Sequence, residues 1–306
     1  MEDPASHHLD ATAGAAPPAA ARDLALTFAG GGNRAFYQLG LMNVWADRLR
    51  PRLAGVASCS AGACVVTMWL TGRRAQAREV FQARTRGLRR NVDPVNLLRG
   101  QPMAPHGGVY RDIMLAMVRD GGLDRLRAQP WPLLVMVSAF PRWLPPAVAA
   151  AAGIGAYQLE KALRRRLLHP SFGRALGFRP HVFDMRDCET PEELAALVLA
   201  SSATPPFTPV GRFHGRRYLD GGMVDNAPAF VADALPGARR NLVLLTRPYR
   251  DDLTGVRGSR LYVAPTGPVP AGRWDYTRPE GVEEAVAMGE REAGVHGAQL
   301  RAFLAG

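Results

Sequence analysis

Residues 58–62, with the sequence SCSAG, could form a turn that carries a nucleophile. A serine on a sharp strand-to-helix turn needs small residues two positions before and after it, because larger side chains would collide with neighbouring backbone. Gly62 meets this requirement, and Ser58 stands where glycine is usual. The positive end of a following helix would favour negative charge developing at Ser60. The same pattern is also typical of an ordinary helix N-cap.

A second turn, residues 30–35 with the sequence GGGNRA, could bind negative charge. Its glycines leave backbone amides uncovered beside a predicted helix N-terminus. Such amides suit an oxyanion hole, but the pattern also fits the dinucleotide-binding motif Gly-x-Gly-x-x-Ala. The dinucleotide interpretation needs an acidic residue after the next strand, and residues 57–60 contain none. A purely structural tight turn is the third interpretation.

A serine hydroxyl is a poor nucleophile and needs a base. Asp220 ends a predicted strand and precedes Gly221 and Gly222, so its carboxylate would lie in a tight, open turn. The histidines after the N-terminal segment have no surroundings that mark one of them as the base. Asp220 is therefore the better candidate, and a plain Asp-Gly turn is its structural alternative.

The pattern of apolar runs predicts how these turns are positioned. Short strands alternate with helices, which is typical of a parallel α/β sheet whose ligands bind at the carboxyl ends of the strands. Both turns would then lie at that edge on neighbouring strands, placing a hydroxyl beside amide donors, as acyl transfer requires. The predicted strands are 24–28, 55–57, 133–139, 181–183, 217–219, 241–245 and 261–263, and the predicted helices are 33–49, 61–70, 73–88, 109–119, 156–168, 191–199 and 279–304.

The composition of the 306 residues, 47% hydrophobic and 21% charged, is that of a globular protein. Residues 1–22 are rich in alanine and proline, and we expect them to form a disordered tail. Residues 23–306 are expected to form a single catalytic domain. Within it, residues 90–180 carry only one clear strand and are expected to form a variable helical insertion over the active-site edge of the sheet.

The chain is strongly basic, with 38 lysines and arginines against 27 acidic residues and a formal net charge of +11. Nearly all of this charge is arginine, which could face anionic lipid, nucleic acid or acidic substrates, or could reflect codon bias. The apolar stretch 143–157 precedes Lys161 and arginines 164–166, so it could dock on an anionic membrane. A core helix with a solvated basic end is the alternative. No recognition motif accompanies the arginines, and nucleic acid binding is not expected.

Cofactors, metals and targeting signals are not indicated. The three cysteines form no CxxC pair, and the His and carboxylate residues lack metal-ligand spacing. The N-terminal residues lack the pattern of a signal peptide, and no apolar run is long enough for a membrane span. We therefore expect a cytoplasmic protein that can associate peripherally with membranes.

Four motifs in this order resemble the patatin-like phospholipase family. They are GGGNRA from Gly30, SCSAG from Ser58, SSATPPF from Ser201 and DGG from Asp220. Residues 274–281 are also similar to bacterial members. The chain departs from the family pattern at Ala35 and Ser58, where the family has glycine, and these departures leave a reduced activity open.

The resemblance implies a three-layer α/β/α sandwich with a mainly parallel central sheet. It also implies a serine acyl-ester hydrolase of lipids that works through an acyl-enzyme without a cofactor. Transfer of the acyl group to an alcohol other than water stays open. The alternatives are a lipid-binding protein of the same fold that has lost catalysis and a nucleotide-binding α/β protein that uses residues 30–35.

The resemblance further assigns roles to individual residues. It implies a Ser60–Asp220 dyad without histidine, in which Asp220 deprotonates Ser60. The oxyanion hole would consist of Gly30, Gly31, Gly32 and Arg34: Gly30 lets the turn form, the amides around Gly31 and Gly32 bind the oxyanion, and Arg34 favours negative charge or orients the loop. Support for the turns would come from Ser58, Gly62, Gly221 and Gly222.

Overall fold

The strands of the protein form a central sheet and a separate hairpin. A computed structural model describes residues 22–93, 95, 104–163 and 168–306. The strands are β1 (Leu24–Phe28), β2 (Leu53–Cys59), β3 (Leu133–Ala139), β4 (Arg179–Asp184), β5 (Gly211–Phe213), β6 (Arg216–Tyr218), β7 (Arg240–Leu244), β8 (Gly255–Arg257) and β9 (Arg260–Val263).

Seven of these strands form the sheet in the order β4-β3-β2-β1-β7-β9-β8. The five inner strands are parallel, whereas the edge strands β4 and β8 run antiparallel to their neighbours. β5 and β6 pair only with each other. The parallel order places the ends of β1 and β2, and so both predicted turns, side by side.

Helices cover both faces of the sheet. The first face carries a large apolar core to which Leu24, Leu26 and Phe28 of β1 contribute, and the intervening Ala25 faces a second core. Because both faces are buried, β1 is apolar except for Thr27, as expected for an inner parallel strand, and the Thr27 hydroxyl donates to Asn241 Oδ1 on β7. The helices are α1 (Phe36–Leu49), α2 (Ala61–Thr71), α3 (Arg74–Thr85), α4 (His106–Val118), α5 (Gly122–Arg127), α6 (Pro146–Leu163), α7 (Phe172–Ala175), α8 (Pro191–Ser201), α9 (Ala229–Asp233), α10 (Glu280–Val295) and α11 (Gly297–Ala305).

The three-layer α/β/α sandwich with a mainly parallel sheet is therefore confirmed. α1, α2, α4, α8 and α10 contribute to the first core, and α6 and α9 contribute to the second. No helix in the described part of the chain is long and apolar enough to cross a membrane.

The strand and helix bounds differ from the sequence predictions in several places. The predicted helix 279–304 is two helices, α10 and α11, and the predicted strand 217–219 lies in the β5–β6 hairpin rather than in the main sheet. Strands β5 and β8 were not predicted. Helix α6 begins ten residues before the predicted start at 156, and residues 164–167 lie outside the described residues.

The region 90–180 contributes to all three layers. β3 lies inside the sheet between β2 and β4, and α4 contacts α2, α3 and α8. Both β3 and α6 of this region pack against the turn that follows Asp220. The division into a tail, a single domain and a variable insertion stays a prediction, and residues 1–21 of the predicted tail lie outside the described residues.

Candidate active site

Ser60 lies on a strained turn between β2 and α2. Its φ of 51° and ψ of −134° fall in a region that L-residues rarely adopt, and such outliers cluster at functional sites. The turn brings α2 against β1, because a Cβ on Gly62 would lie 2.5 Å from the Phe28 carbonyl oxygen. Ser60 occupies the N-cap position of α2, but its hydroxyl makes no capping hydrogen bond. The interpretation of this serine as a helix cap is therefore not supported.

The Ser60 hydroxyl instead donates a hydrogen bond to Asp220, with 2.8 Å between Oγ and Oδ2. The second carboxylate oxygen, Oδ1, accepts a bond of 2.7 Å from the Gly222 amide. The preceding residue, Leu219, forms a β-bridge with Ser138 of β3, which holds Asp220 at the edge of the sheet. Gly221 is required there because a Cβ would lie 2.4 Å from the Met136 carbonyl oxygen.

The surroundings of Asp220 make its carboxylate more basic than usual. Burial raises the pKa of Asp220 above its ordinary value, since the charged form loses water. The Gly222 amide, the Ser60 hydroxyl and the positive charge of Arg273 oppose this effect, but they do not cancel it. The result is a carboxylate with a raised proton affinity in direct contact with a serine hydroxyl.

The two departures from the family pattern fit the structure without disturbing the turns. The Ser58 hydroxyl donates to the Leu134 carbonyl oxygen on β3 at 3.1 Å, and Ser58 is almost completely buried. Ala35 is completely buried in the first core. Both side chains are therefore accommodated away from the Ser60–Asp220 contact.

Gly30 supports the site through its shape rather than through a free amide. Its amide donates to the Asn226 carbonyl oxygen, and its own carbonyl oxygen accepts from Asn226 Nδ2 and Thr246 Oγ1. A Cβ on Gly30 would lie 3.0 Å from Ser60 Cβ and 2.7 Å from the side-chain oxygen of Asn226. The Gly30 N–H is bound by the Asn226 carbonyl oxygen, so Gly30 shapes the turn and offers no free donor, and its assignment to the oxyanion hole stays a prediction.

Gly31 and Gly32 are the residues of this turn with available amides. In the described part of the chain, neither N–H has a hydrogen-bond partner. Gly32 has a φ of +60°, and a Cβ there would lie 1.8 Å from the Arg273 carbonyl oxygen. The close approach to Gly32 is thus made by the Arg273 backbone, and the close approach to Gly31 is made by the Thr246 side chain, whose Oγ1 would lie 2.3 Å from a Cβ there. Arg34 donates from Nε to the Gly31 carbonyl oxygen at 3.3 Å and so orients the loop.

Two hollows meet at Ser60. The first, the apolar cavity, has a volume of about 280 Å³ and extends from Ser60 between α2, α3, α4 and α10. The second, the polar cleft, has a volume of about 260 Å³ and lies on the side of Arg273 and Asn226. The apolar cavity is lined by residues that include Phe36, Met68, Phe81, Ile113 and Val286. The polar cleft is named for Thr204, Asn226 and Arg273, and its lining also includes the apolar side chains of Ile154, Phe207 and Met223.

No described histidine contacts Ser60 or Asp220. His106 lines the apolar cavity, but its Nδ1 contacts the Tyr276 hydroxyl, and burial lowers the pKa of His106 to about 4. His169 contacts Asp225 and Tyr262 instead. The serine and the aspartate therefore make their contact without an imidazole between them.

Several residues of the site were missed or not assigned a role at the sequence level. Ser201 Oγ accepts from the Ser60 amide at 2.8 Å and donates to the Met136 carbonyl oxygen at 2.7 Å, and so links the Ser60 turn to β3. The SSATPPF motif contains Ser201 and was the available signal. Thr246 and Arg273 lie in no motif that could have indicated them, and Trp274 begins the stretch 274–281, which was noted as similar to bacterial members but given no role.

Comparison with known proteins identifies the family. A family model described as patatin-like phospholipase matches residues 26–233. The chain belongs to the patatin-like phospholipase family. The matched range includes Ser60 and Asp220 and ends before Thr246, Arg273 and Trp274.

Other comparisons give little further detail. The crystal structure of VipD from Legionella pneumophila is similar at 13% sequence identity and a TM-score of 0.43, over 89% of this chain and 66% of the VipD chain. The chain thus spans slightly less than two thirds of VipD. No curated protein matches the chain. Among the described residues of this patatin-like protein, no group of His, Cys, Asp and Glu side chains could hold a metal ion.

Proposed function

We propose that the protein hydrolyses acyl esters of lipids, with Ser60 as the nucleophile and Asp220 as the general base. The observation that carries this proposal is the 2.8 Å hydrogen bond between Ser60 Oγ and Asp220 Oδ2 on a strained turn at the mouth of an apolar cavity. A nucleophile and its base within hydrogen-bond distance are what acyl transfer requires. Membership of the patatin-like phospholipase family supports the same chemistry.

The first half of the reaction forms an acyl-enzyme. Asp220 Oδ2 takes the proton of the Ser60 hydroxyl while Oγ attacks the ester carbonyl carbon. The carbonyl oxygen becomes an oxyanion, for which the free amides of Gly31 and Gly32 supply hydrogen bonds. The bond to the leaving alcohol then breaks, and the alcohol oxygen takes the proton from Asp220.

The second half releases the fatty acid. Asp220 takes a proton from water, whose oxygen attacks the acyl carbon and forms a second oxyanion at the same amides. Collapse of this intermediate breaks the bond to Ser60 Oγ, which recovers the proton from Asp220. The raised pKa of Asp220 assists both halves, because a general base works best when its pKa is closer to the working pH.

The two hollows would orient the substrate at Ser60. The apolar cavity is suited to an acyl chain, since burial of each methylene contributes about 0.8 kcal/mol. The polar cleft, with Asn226 and Arg273, is suited to the leaving alcohol and its polar substituents. Ser60 belongs to the lining of both hollows, which is where the ester group must lie.

A fluorophosphonate probe tests whether Ser60 is activated. We expect stoichiometric labelling of the wild-type protein at Ser60 and no labelling of Ser60→Ala, because only a deprotonated hydroxyl attacks the phosphorus at a useful rate. Ser259→Ala, which removes an exposed hydroxyl in the β8–β9 turn, is the matched control and should label like wild type. Absence of labelling in the wild type would favour the alternative, a lipid-binding protein without catalysis.

We further propose that the outer face of α6 docks on anionic membranes. Trp143, just before the helix, is 82% exposed, and Val148, Leu159 and Leu163 are exposed along α6. The one acidic residue of the helix, Glu160, is buried and accepts from the Ser171 and Phe172 amides, so the exposed face carries no carboxylate.

Basic side chains and the position of the cleft support an anionic lipid surface as the occupant of this face. Arg142 and Arg217 are exposed next to Trp143 and joined by a hydrogen bond from Arg217 to the Arg142 carbonyl oxygen. Tyr157 and Ile154, on the inner side of α6, line the polar cleft. A lipid that left a bilayer along α6 would therefore enter beside Ser60.

A vesicle sedimentation assay tests the docking face. We expect wild-type protein to sediment with vesicles that contain phosphatidylglycerol and less with pure phosphatidylcholine, since the flanking arginines add electrostatic attraction. Trp143→Ser should weaken binding by about tenfold to a hundredfold, because burying a large apolar side chain contributes on the order of 1.5–3 kcal/mol. Val256→Ser, on the exposed edge strand β8, is the matched control and should bind normally. Equal sedimentation of wild type and Trp143→Ser would contradict the proposal.

A further inference from the structure

Three arginines line a recess that opens beside the polar cleft. The arginine recess consists of Arg34, Arg247 and Arg273 with Tyr157 and Gln158. Tyr157, Gln158 and Arg273 also line the polar cleft that contains Ser60 and Asp220. The recess and the site of chemistry therefore share a wall, on the side away from the apolar cavity.

The positive charges of the recess have no carboxylate partner in the described residues. Arg34 donates to a backbone carbonyl, and Arg247 donates from Nε to the Tyr249 hydroxyl at 3.1 Å and from a terminal nitrogen to the Tyr157 hydroxyl at 3.4 Å. No ion pair to Arg34, Arg247 or Arg273 occurs in this part of the chain. Many other arginines, among them Arg52, Arg186 and Arg260, do pair with aspartate.

The arginines are also close enough to repel one another. Burial lowers the pKa of the Arg34 guanidinium, and the charges of Arg273 and Arg247 lower it further. Holding three like charges together at a partly buried place is unfavourable unless an anion joins them. Arginine presents several N–H donors in a fork that matches phosphate oxygens, so the recess has the donors and the charge for a phosphate group.

We propose that Arg34, Arg247 and Arg273 form a phosphate-binding subsite that holds the leaving-group half of the substrate. This inference rests on the proposed hydrolysis at Ser60 and adds a preference for esters whose alcohol carries a phosphate. Arg247 and Arg273 lie beyond residues 26–233, so the subsite depends on residues outside the segment that the family model matches. The phosphate belongs to a lipid headgroup in this proposal, and free phosphate shares the same chemistry.

The subsite would orient the ester during the reaction. A phosphate held at the recess places the leaving alcohol in the polar cleft, and the acyl chain then points into the apolar cavity on the other side of Ser60. Arg34 links phosphate binding to oxyanion binding, because it donates a hydrogen bond to the Gly31 carbonyl oxygen next to the free amides. Arg247 and Arg273 are positioning residues in this arrangement, since neither contacts the reacting atoms.

Binding is tested first, in the full-length Ser60→Ala protein so that no turnover interferes. We expect inorganic phosphate and glycerol 3-phosphate to bind in calorimetric titrations at constant ionic strength, and glycerol not to bind. Arg247→Gln and Arg273→Gln should each weaken phosphate binding about tenfold, the loss typical of one charge-assisted hydrogen bond. Arg257→Gln, which removes an exposed arginine of β8, is the matched control and should leave binding unchanged.

Hydrolysis rates then distinguish a subsite for the phosphate of a lipid headgroup from a site for free phosphate. Monoacylglycerol and monoacylglycerol 3-phosphate with the same acyl chain differ only in the phosphate. We expect wild type to prefer the phosphate-bearing ester, mainly through KM, and Arg247→Gln to lose about tenfold of this preference, measured as the ratio of kcat/KM for the two esters. Arg247→Lys keeps the charge but not the fork and should recover part of the preference.

Each outcome decides between the alternatives. Phosphate binding that is unaffected by both glutamine variants, or no binding at all, overturns the subsite. Binding that depends on the arginines together with equal turnover of the two esters overturns the headgroup assignment and leaves a free-phosphate site. Arginine-dependent binding in a wild-type protein that hydrolyses neither ester contradicts the proposed function while supporting the anion site. Thermal unfolding of each variant shows that a change in binding is not a loss of fold.

Discussion

Replacing Ser60 by alanine is expected to lower kcat/KM for a medium-chain acyl ester by about 10⁴-fold or more, because no other group in the site can form the acyl-enzyme. The free amides of Gly31 and Gly32 and the apolar cavity remain, so binding of the ester should change little. The measurement is steady-state hydrolysis of a p-nitrophenyl ester, with the variant purified free of contaminating esterase. Ser259→Ala should retain wild-type turnover. Activity of Ser60→Ala within tenfold of wild type would contradict the assignment of the nucleophile.

The same position offers a second measurement that does not depend on activity. Ser60 has a backbone conformation that glycine adopts without strain, and such strain typically costs about 1–3 kcal/mol in other residues. Ser60→Gly is therefore expected to be inactive but to unfold at a higher temperature than Ser60→Ala. If the two variants unfold at the same temperature, the turn is not strained in the way that the structure indicates.

The parts of this site that could be predicted from the sequence are those defined by short segments. The sequence signal for the turn around Ser60 lies within residues 58–62, and the start of α2 follows from the same segment. Asp220 is separated from Ser60 by 160 positions, so no local pattern joins them. Asp220 was a candidate base because it ends a predicted strand before two glycines, and the order of four motifs, read as a family resemblance, then paired it with Ser60.

Residues whose role depends on tertiary approach could not be predicted. Arg273 covers Gly32 with its backbone, and any residue type has a carbonyl oxygen to place there. Thr246 follows β7 and reaches Gly30 only because β7 pairs with β1. No periodicity or spacing in the sequence encodes these approaches.

The start of α6 was predicted too late. The helix was predicted to begin at residue 156, whereas it begins at Pro146 and contains Gly153 and Gly155. In the structure Pro146 is the first helical residue, where proline is tolerated because that N–H would be unpaired. Gly153 lies where the helix packs closely on the turn after Asp220, since a Cβ would lie 2.7 Å from Met223 Sδ. Tertiary packing thus explains a glycine inside this helix.

Replacing Asp220 by asparagine is expected to lower kcat by about 10²–10⁴-fold, the range typical of a lost general base. Asparagine can keep both contacts of the aspartate: its oxygen accepts from the Gly222 amide, and its amide nitrogen donates to Ser60 Oγ. The geometry of the turn should therefore survive while proton transfer is lost. In wild type, kcat/KM should fall on acidification around the raised pKa of Asp220, at a pH above that of an ordinary aspartate. A variant with near wild-type turnover would exclude Asp220 as the base.

The same substitution should make the protein more stable at neutral and alkaline pH. Because the folded-state pKa of Asp220 is raised above its value in the unfolded chain, wild type loses stability as the pH rises through the folded-state pKa. The asparagine side chain of the Asp220→Asn variant does not titrate, so the variant lacks this loss. The difference in Tm between the variant and wild type should therefore be larger at pH 8 than at about pH 4, near the ordinary pKa of aspartate. A Tm difference that does not change with pH, or one that is smaller at pH 8 than at pH 4, would show that burial does not raise the pKa of Asp220. The basicity proposed for Asp220 would then have to arise in the substrate complex.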